Sequence, residues 1–183
     1  VVCIVNNAAD QTPGTTETTN VDMFQRTMFI NVTAPFLLVQ GLLDDLVATK
    51  GTVVNVGSLV GNQPIPGRVA YNTSKAAIAG LTRSLAVDLG QAGIRVNAVA
   101  PGHIMTDGEE SWKAVYSDFQ QRIFPTSYAL GRVGHAEEVA AEKLSYLTFT
   151  GIDEKTTHEI ATCFKTHYLN TVENNDIYGV QYA

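Results

Sequence analysis

The chain has 183 residues, which suits one domain, since about 100 to 200 residues make a typical single-core unit. Apolar residues form 45% of it and charged residues 16%, which provides for a core and excludes a disordered segment. The net charge of -6 argues against a nucleic-acid-binding protein, because phosphate contacts need a basic face. The sequence has no long apolar run, no signal peptide and two cysteines, so we expect a globular cytoplasmic protein without a membrane partner.

The first part of the chain alternates strand and helix patterns. The apolar run 1–5 predicts a strand that is buried on both faces. Thr19 and Asp22 resemble a capping box, and the apolar residues that follow at helical spacing predict one long helix over residues 20–49. The largely β-branched run 52–56 predicts a second buried strand.

The same alternation continues further along the chain. Glycines and prolines exclude regular structure over 61–67, after which small and apolar residues at helical spacing predict a helix over 69–91. Residues 94–100 predict a third strand, and two more helices are predicted over 109–121 and 135–147.

Strands that alternate with long helices indicate a parallel sheet with helices on its faces. In such sheets the functional groups gather at the carboxyl ends of the strands. Segments 6–9, 57–58 and 101–106 each follow a predicted strand. We therefore expect these segments to lie side by side and to carry the site.

Tyr71 and Lys75 are four residues apart near the start of the helix over 69–91, so their side chains share one face. A cation close to a phenol stabilises the phenolate and lowers its pKa by roughly 1 to 3. Tyr71 is therefore a candidate general acid/base, and Ser58, just past a buried strand, is a candidate donor to a carbonyl oxygen. The alternatives are a solvated Tyr and Lys pair and a serine that only forms a turn.

Asn31 is a candidate site residue through its backbone carbonyl. Pro35 lies four residues later in the same predicted helix and has no N–H, so the carbonyl of Asn31 loses its usual helical partner. A carbonyl freed in this way, and facing the sheet edge, can hold a water molecule. The alternative is a simple proline kink.

Several segments resemble the short-chain dehydrogenase/reductase family, over about residues 1–143. Segment 6–9, Asn-Asn-Ala-Ala, is similar to the family's Asn-Asn-Ala-Gly motif. Residues 95–97 and 101–106 resemble its Arg-Val-Asn and Pro-Gly-x-x-x-Thr segments, and residues 131–134 resemble its later Gly-Arg loop. Spacings of 27, 13 and 4 match the family's catalytic tetrad, whose members here are Asn31, Ser58, Tyr71 and Lys75.

The resemblance implies an α/β fold, a Rossmann-like doubly wound parallel sheet in three αβα layers. It also implies interconversion of an alcohol and a ketone or aldehyde, with NAD or NADP as the cofactor. Tyr71 is then the general acid/base, and Lys75 lowers its pKa and holds the nicotinamide ribose. Ser58 polarises the substrate oxygen, and Asn31 anchors a water of the proton relay.

By the same resemblance, further residues meet the cofactor or the substrate. The implied cofactor-binding residues are Asn6, Ala8, Ala9, Tyr71, Lys75, Pro101, Gly102, Ile104 and Thr106. Residues 107–130 form a lid over the substrate, lined by Trp112, Tyr116 and Phe119 unless these aromatic residues only pack within a helix. His103, inside the Pro-Gly segment, either touches the substrate or is an ordinary loop residue.

The family resemblance also implies assembly into a homodimer or homotetramer. The helices over 20–49 and 69–91 would pair the subunits, unless they pack within one subunit. A metal site is not expected, because His158, Cys163 and His167 have no evident fourth ligand.

The sequence departs from the family pattern at two places. No two glycines stand two residues apart, so the glycine-rich phosphate turn is missing, and we expect the first strands to be missing with it. We expect residues 1–149 to form the catalytic part and residues 150–183 to be a divergent tail. The competing interpretation is a catalytically silent fragment or interaction subunit that pairs through its long helices. A hydrolase is disfavoured, because Ser58 is not in a Gly-x-Ser-x-Gly elbow.

Overall fold

The computed structural model of the chain describes residues 1–105, 132, 134–136 and 138–139. In this part of the chain one compact unit covers Val1–Pro101 and a second unit begins at Gly102. The two units are described separately below.

Some predictions fall outside the described residues and stay predictions. These are the helix over 109–121, the lid over 107–130 with Trp112, Tyr116 and Phe119, the domain boundary at residue 149 and the tail over 150–183.

The first unit contains a three-stranded parallel sheet, as the alternating pattern predicts. β1 covers Cys3–Asn6, β2 covers Thr52–Val56 and β3 covers Arg95–Val99, in the order β1-β2-β3. β2 matches its predicted run, whereas β1 starts after Val1 and Val2, which are exposed. The predicted α/β fold class is confirmed.

A hydrophobic core joins the sheet to the helices. All residues of β2 are buried, as expected for a parallel strand that is covered on both sides. Burying one large apolar side chain stabilises a fold by roughly 1.5 to 3 kcal/mol, so a cluster of them fixes the helices on the sheet. The cluster consists of Ile4, Val39, Leu46, Val53, Leu85, Ile94 and Val96.

The prediction of one continuous helix over 20–49 is wrong. The chain forms four consecutive elements, named together the segmented helix: α1 at Val21–Met28, a π-helix at Phe29–Thr33, α2 at Ala34–Gly41 and α3 at Leu43–Thr49. The π turn ends at Thr33, two residues before Pro35, whose missing N–H breaks the regular bonding pattern. Leu42 has non-helical φ and ψ of -112° and 17°, and the helix axis bends there by 62°.

Among the described residues, no single helix has both the length and the apolar composition to cross a membrane. The bent pair Val21–Gly41 and Leu43–Thr49 meets that requirement when both parts are taken together. Val39 and Leu46 of this pair are buried in the hydrophobic core.

Asn20, and not Thr19, caps the segmented helix. Asn20 has extended backbone, and its Oδ1 accepts a hydrogen bond from the Met23 N–H at 2.9 Å. This bond satisfies one of the N–H groups that have no partner inside the helix. The capping box predicted from Thr19 and Asp22 is therefore wrong by one residue, although Asp22 lies in the first turn.

α4 covers Val69–Leu89 and confirms the helix predicted over 69–91, whose end, Gly90–Ala92, is a 3-10 helix. Gly93 follows with a φ of +81°, in the left-handed region that favours glycine. One face of α4 is buried, and its members are Ala70, Tyr71, Ser74, Lys75, Ile78, Thr82 and Leu85.

The second unit contains a short parallel strand pair. β4 at Ile104–Met105 pairs with β5 at Gly134–His135. The helix predicted over 135–147 is wrong by one residue at its start, because His135 lies in β5, whereas Ala136, Glu138 and Val139 are helical and the remainder lies outside the described residues. The Arg132 guanidinium donates to both carboxylate oxygens of Glu138, at 2.9 and 2.8 Å, and this side-chain pairing lowers the pKa of Glu138 to about 2.

Candidate active site

The carboxyl ends of β1, β2 and β3 lie side by side. Beyond the paired strands, the Gly57 N–H donates to the Val99 carbonyl at 2.7 Å, and the Leu59 N–H donates to the Pro101 carbonyl at 2.9 Å. These bonds join the segment after β2 to the segment after β3. The prediction that the segments after the three strands lie side by side is confirmed for the residues up to Pro101.

Tyr71 and Lys75 lie on the buried face of α4. Their exposed fractions are 2% and 5%, so the alternative of a solvated pair is wrong. The Nζ atom of Lys75 donates to the Val56 carbonyl, at the end of β2, at 2.7 Å. The same atom lies over the Tyr71 ring, 5.5 Å from its centroid, which is a cation–π distance.

The net shift in the pKa of Tyr71 is upward in this structure, against the expectation of a lowered pKa. Burial raises the pKa of Tyr71 to about 12, while a hydrogen bond with Ser58 and the charge of Arg68 partly oppose that rise. Burial also lowers the pKa of Lys75 to about 8. The physical reason is that burial desolvates the charged form of each side chain.

Ser58 reaches the tyrosine from the turn after β2. It is 4% exposed, and its side chain forms a hydrogen bond with Tyr71. Its extended backbone begins the 3-10 helix at Leu59–Gly61, where Oγ accepts a bond from the Val60 N–H at 3.4 Å. Ser58 is thus both a turn residue and a neighbour of the tyrosine, as the two interpretations of the sequence separately suggest.

Gly61 allows this turn to pack directly on α4. A Cβ atom added at Gly61 would lie 2.8 Å from the carbonyl oxygen of Lys75. The two backbones therefore touch at this point, which leaves no room for a side chain. This contact fixes the turn that carries Ser58 relative to the helix that carries Tyr71.

The side chain of Asn31 is 3% exposed and clamps two elements together. Its Oδ1 accepts from the Asp10 N–H at 2.7 Å, and its Nδ2 donates to the Asp10 carbonyl at 2.9 Å and to Ser74 Oγ at 2.8 Å. Ser74 in turn donates to the Tyr71 carbonyl at 2.8 Å. The sequence drew attention only to the backbone of Asn31, and this side-chain role was missed.

The backbone around Asn31 forms a π-helix where a simple proline kink was the alternative. The Ala34 N–H donates to the Phe29 carbonyl, five residues earlier. Such turns occur frequently at functional sites. The water predicted on the Asn31 carbonyl stays a prediction.

The loop after β1 is fastened to the start of α4. The Gly14 N–H donates to the Gly67 carbonyl at 2.8 Å, and the Val69 N–H donates to the Gly14 carbonyl at 3.1 Å. Nη1 of Arg68 donates to the Gln11 carbonyl at 2.5 Å. Sequence reasoning missed Arg68, although a cation three residues before the candidate tyrosine was a visible signal.

Asp10 ties the same loop to α1. Its Oδ2 accepts from Thr27 Oγ1 at 2.7 Å, and its Oδ1 accepts from Thr12 Oγ1 at 2.8 Å. Burial acts to raise the pKa of Asp10, but the bonds from Thr27 and Thr12 and the charge of Arg26 hold it below its usual value. Asp10 is therefore a carboxylate that anchors the loop.

The predicted cofactor residues of segment 6–9 lie at the sheet edge with different exposures. Ala8 is exposed, and Ala9 is buried. Asn6 is half-buried, and its Nδ2 donates to Asn55 Oδ1 at 2.7 Å. Oδ1 of Asn7 is buried and has no hydrogen-bond partner in the described part of the chain. It is a polar atom that a bound group can satisfy.

The predicted cofactor residues after β3 fall into different parts of the structure. Pro101 is buried in the first unit, whereas Gly102 and Ile104 belong to the second unit, where Ile104 is 8% exposed. Thr106 lies outside the described residues. Their contact with the nicotinamide stays a prediction.

The described polar groups fit the nicotinamide end of a dinucleotide. An ammonium group has three N–H donors, and Lys75 directs one of them to the Val56 carbonyl. Within the described residues, its other N–H donors are suited to ribose hydroxyls. The buried Oδ1 of Asn7 adds an acceptor. The chain has no two glycines two residues apart, so it supplies residues for this end and not the glycine-rich pyrophosphate turn.

The described residues contain no group of three or more His, Cys, Asp or Glu side chains that suits a metal ion. Cys3 has a free thiol. Burial raises the pKa of Cys3 to about 11, against the charge of Arg95. Because the thiolate is the reactive form of cysteine, this shift disfavours reactivity of Cys3.

Residues 1–116 match the short chain dehydrogenase family. The protein FixR of Bradyrhizobium diazoefficiens is 46% identical over 145 residues, which cover 75% of this chain and 49% of that protein. The 3-oxoacyl-(acyl-carrier-protein) reductase of Aquifex aeolicus is 37% identical over 133 residues, which cover 68% of this chain and 52% of that protein. This chain therefore spans about half the length of the curated relatives it matches.

A solved structure shows the same relationship. The 3-oxoacyl (acyl-carrier-protein) reductase of Agrobacterium tumefaciens, crystallised with NADP bound, superposes with a TM-score of 0.71 at 28% identity. The match covers 78% of this chain and 55% of that chain. Since the matched residues include the parallel sheet and the whole edge that carries Ser58 and Tyr71, this chain belongs to the short-chain dehydrogenase/reductase family.

Proposed function

We propose that this chain forms the catalytic part of an NAD(P)-dependent oxidoreductase that interconverts an alcohol and a ketone or aldehyde. The observation that supports it most is the convergence of three side chains at the carboxyl edge of a parallel sheet. Ser58, Tyr71 and Lys75 are 4%, 2% and 5% exposed there. The similar protein of Aquifex aeolicus is a reductase, and the similar structure from Agrobacterium tumefaciens contains NADP.

Tyr71 is the general acid/base of the proposed reaction. When bound, a nicotinamide dinucleotide exchanges a hydride with the substrate carbon that carries the oxygen. Tyr71 donates a proton to that oxygen when a carbonyl is reduced, and accepts it when an alcohol is oxidised. Burial raises the pKa of Tyr71 to about 12, so the tyrosine carries its proton at neutral pH and can act as the acid when a carbonyl is reduced.

The other members of the tetrad orient the substrate and the cofactor and return a proton to Tyr71. The Ser58 hydroxyl, which is bonded to Tyr71, donates to the substrate oxygen and orients it. Lys75 donates to the ribose hydroxyls of NAD or NADP while the Val56 carbonyl fixes its ammonium. The Asn31 carbonyl holds a water that returns a proton to Tyr71. Asn6, Ala8 and Ala9 line the cofactor, together with Pro101, Gly102, Ile104 and Thr106.

Tyr71→Phe tests this function, because it removes the hydroxyl and keeps the ring beneath Lys75. We expect NAD(P)H oxidation with a panel of ketones and aldehydes to fall by about a hundredfold to ten-thousandfold, the range for general acid/base catalysis. Thr73→Val, on the exposed side of α4, is the matched control and should keep the activity. Equal activity in wild type and Tyr71→Phe overturns the proposal.

Cofactor titration distinguishes an enzyme from the catalytically silent alternative. Saturable binding of NADH or NADPH, followed by nicotinamide fluorescence, supports the oxidoreductase if it weakens in Lys75→Ala. A folded protein, by circular dichroism, that binds neither nucleotide supports an interaction subunit instead.

We further propose that two or four copies of the chain pair through the segmented helix and α4. Large apolar side chains on both are exposed: Phe29 by 55%, Leu38 by 50% and Val87 by 82%. Patches of this kind often mark an interface. Val87→Asp should shift the mass in light scattering from oligomer to monomer, whereas Ile65→Asp, in a loop, should not.

We also propose a cytoplasmic location. Cys3 carries a free thiol, and thiols stay reduced in that compartment. Cell fractionation with the tagged protein tests it, and recovery in the membrane fraction contradicts it.

A further inference from the structure

A row of polar side chains crosses the interior between the sheet and α4. Asn6 Nδ2 donates to Asn55 Oδ1 at 2.7 Å, and Asn55 Nδ2 donates to Thr82 Oγ1 at 2.9 Å. Thr82 Oγ1 then donates to the Ile78 carbonyl, one turn earlier in α4, at 2.8 Å. These bonds connect β1, β2 and α4 through side chains that are not part of the tetrad.

Asn55 and Thr82 are buried among apolar side chains. Asn55 is 0% exposed and Thr82 is 7% exposed, while Val53, Ile78 and Leu85 beside them are also buried. A buried amide costs free energy unless its polar atoms are bonded, and a leucine would fill similar space without that requirement. Buried polar groups favour one position of α4 on the sheet, because a shift of the helix would leave them without hydrogen-bond partners.

This link lies next to the bond that holds Lys75. Asn55 directly precedes Val56, whose carbonyl accepts the Lys75 ammonium at 2.7 Å. Thr82 comes seven residues after Lys75, which is about two helical turns, so both side chains lie on the same face of α4. Neighbouring residues of β2 thus bind α4 at two points, and a slide of α4 along the sheet would break both bonds.

We propose that the hydrogen bond between Asn55 and Thr82 positions the site by fixing the register of α4 on β2, so that the Lys75 ammonium stays on the Val56 carbonyl. Asn6, at the start of the segment that lines the cofactor, extends the same link to β1. The effect on catalysis rests on the proposed function. The placement of Lys75 does not, because it is measurable without substrate.

Four variants test the link. Thr82→Val removes the hydroxyl and keeps the branched shape, whereas Thr82→Ser keeps the hydroxyl. Thr73→Val is the matched control, because Thr73 also donates to a carbonyl one turn back in α4, that of Val69 at 2.8 Å, but is exposed. Ile94→Val lowers the stability of the hydrophobic core without changing a polar contact.

The first readout is the rate at which Lys75 reacts with an amine-acetylating reagent, measured by peptide mass spectrometry with the exposed Lys50 as internal reference. In Thr82→Val we expect the ratio of the two rates to rise about fivefold, which corresponds to about 1 kcal/mol of lost hydrogen bonding. Thr82→Ser, Thr73→Val and Ile94→Val should keep the wild-type ratio. An unchanged ratio in Thr82→Val, or an equal rise in Ile94→Val, overturns the proposal.

The second readout is steady-state kinetics with NAD(P)H. Thr82→Val should lower kcat about fivefold with a smaller change in KM, and Thr82→Ser should restore it. If the wild type does not turn over, the proposed function fails and the acetylation ratio alone decides the positioning role. If the wild type turns over and Thr82→Val matches it in both readouts, the positioning role fails and the proposed function stands.

Discussion

α4 and the segmented helix pack on the same hydrophobic core, yet they differ in regularity. α4 runs unbroken over Val69–Leu89, whereas the segmented helix widens into a π turn at Phe29–Thr33 and bends by 62° after Gly41. Both regions have apolar residues at helical spacing in the sequence. The π turn follows from one residue, Pro35, and α4 contains no proline.

The difference assigns each helix a separate part of the site. A regular helix holds Tyr71, Lys75 and Thr82 on one face at fixed spacing, so α4 presents several groups to the sheet together. The π turn carries Asn31, whose side chain reaches both Asp10 and α4. The unbroken helix thus carries the row of polar groups, and the segmented helix clamps the loop after β1 beside that row.

The largest effect on stability is expected when this clamp is removed. Asn31→Ala deletes the bonds to the backbone of Asp10 and to Ser74. We expect the free energy of unfolding, measured with urea, to fall by about 3 to 5 kcal/mol, since each buried group left without a partner costs about 1 to 3 kcal/mol. Asn20→Ala, which deletes an exposed capping bond, should cost about 1 kcal/mol. Similar losses for the two variants would contradict the clamp.

The sheet and α4 were predictable because burial imposes a local pattern on the sequence. β2 occupies its predicted run, and α4 begins at the predicted residue, Val69. The pairing of Tyr71 with Lys75 follows from a similarly local feature, a spacing of four residues on a helix, whereas the neighbourhood of Ser58 was implied by the resemblance to the family's tetrad.

Contacts between distant elements were not predictable in the same way. The bonds from Asn31 to Asp10 and from Asn55 to Thr82 join residues 21 and 27 positions apart, and such pairs leave no period in a single sequence. The pKa of Tyr71 was expected to be lowered, whereas its net shift is upward, because the direction depends on burial, which the spacing alone does not determine.

The next largest effect is expected from the charge of Lys75 on α4. Burial lowers the pKa of Lys75 from 10.5 to about 8, so its contribution to stability is present above pH 10.5 and is lost as the pH falls to 8. Relative to Lys75→Met, the free energy of unfolding of the wild type should therefore rise by about 3 kcal/mol across that pH range. Tyr71, whose pKa is raised to about 12, opposes this above pH 10 equally in both proteins.

Urea denaturation of both proteins across this range measures the difference. The desolvated ammonium also predicts that Lys75→Met is no less stable than the wild type at neutral pH, because an apolar side chain of similar size replaces a buried charge. Parallel pH profiles for wild type and Lys75→Met would contradict the desolvation of Lys75.

The smallest effects are expected at two glycines, one in the turn that packs on α4 and one at the end of α2. A Cβ atom at Gly61 would lie 2.8 Å from the Lys75 carbonyl oxygen, whereas a Cβ atom at Gly41 meets nothing within 4 Å. Gly61→Ala should cost about 1 to 3 kcal/mol and lower kcat, because it pushes the turn with Ser58 away from α4. Gly41→Ala should instead stabilise the protein by about 0.5 to 1 kcal/mol, because alanine loses less backbone freedom in a helix.

The sign of the change at Gly41 identifies the cause of the bend at Leu42. If the bend requires the freedom of glycine, alanine strains the junction and the melting temperature falls. If the bend comes from the packing of α3, alanine only improves α2 and the melting temperature rises. We expect the melting temperature to rise, because Gly41 is exposed at the helical end of α2. Leu46 of α3 is 0% exposed in the hydrophobic core, so core packing holds α3 in place.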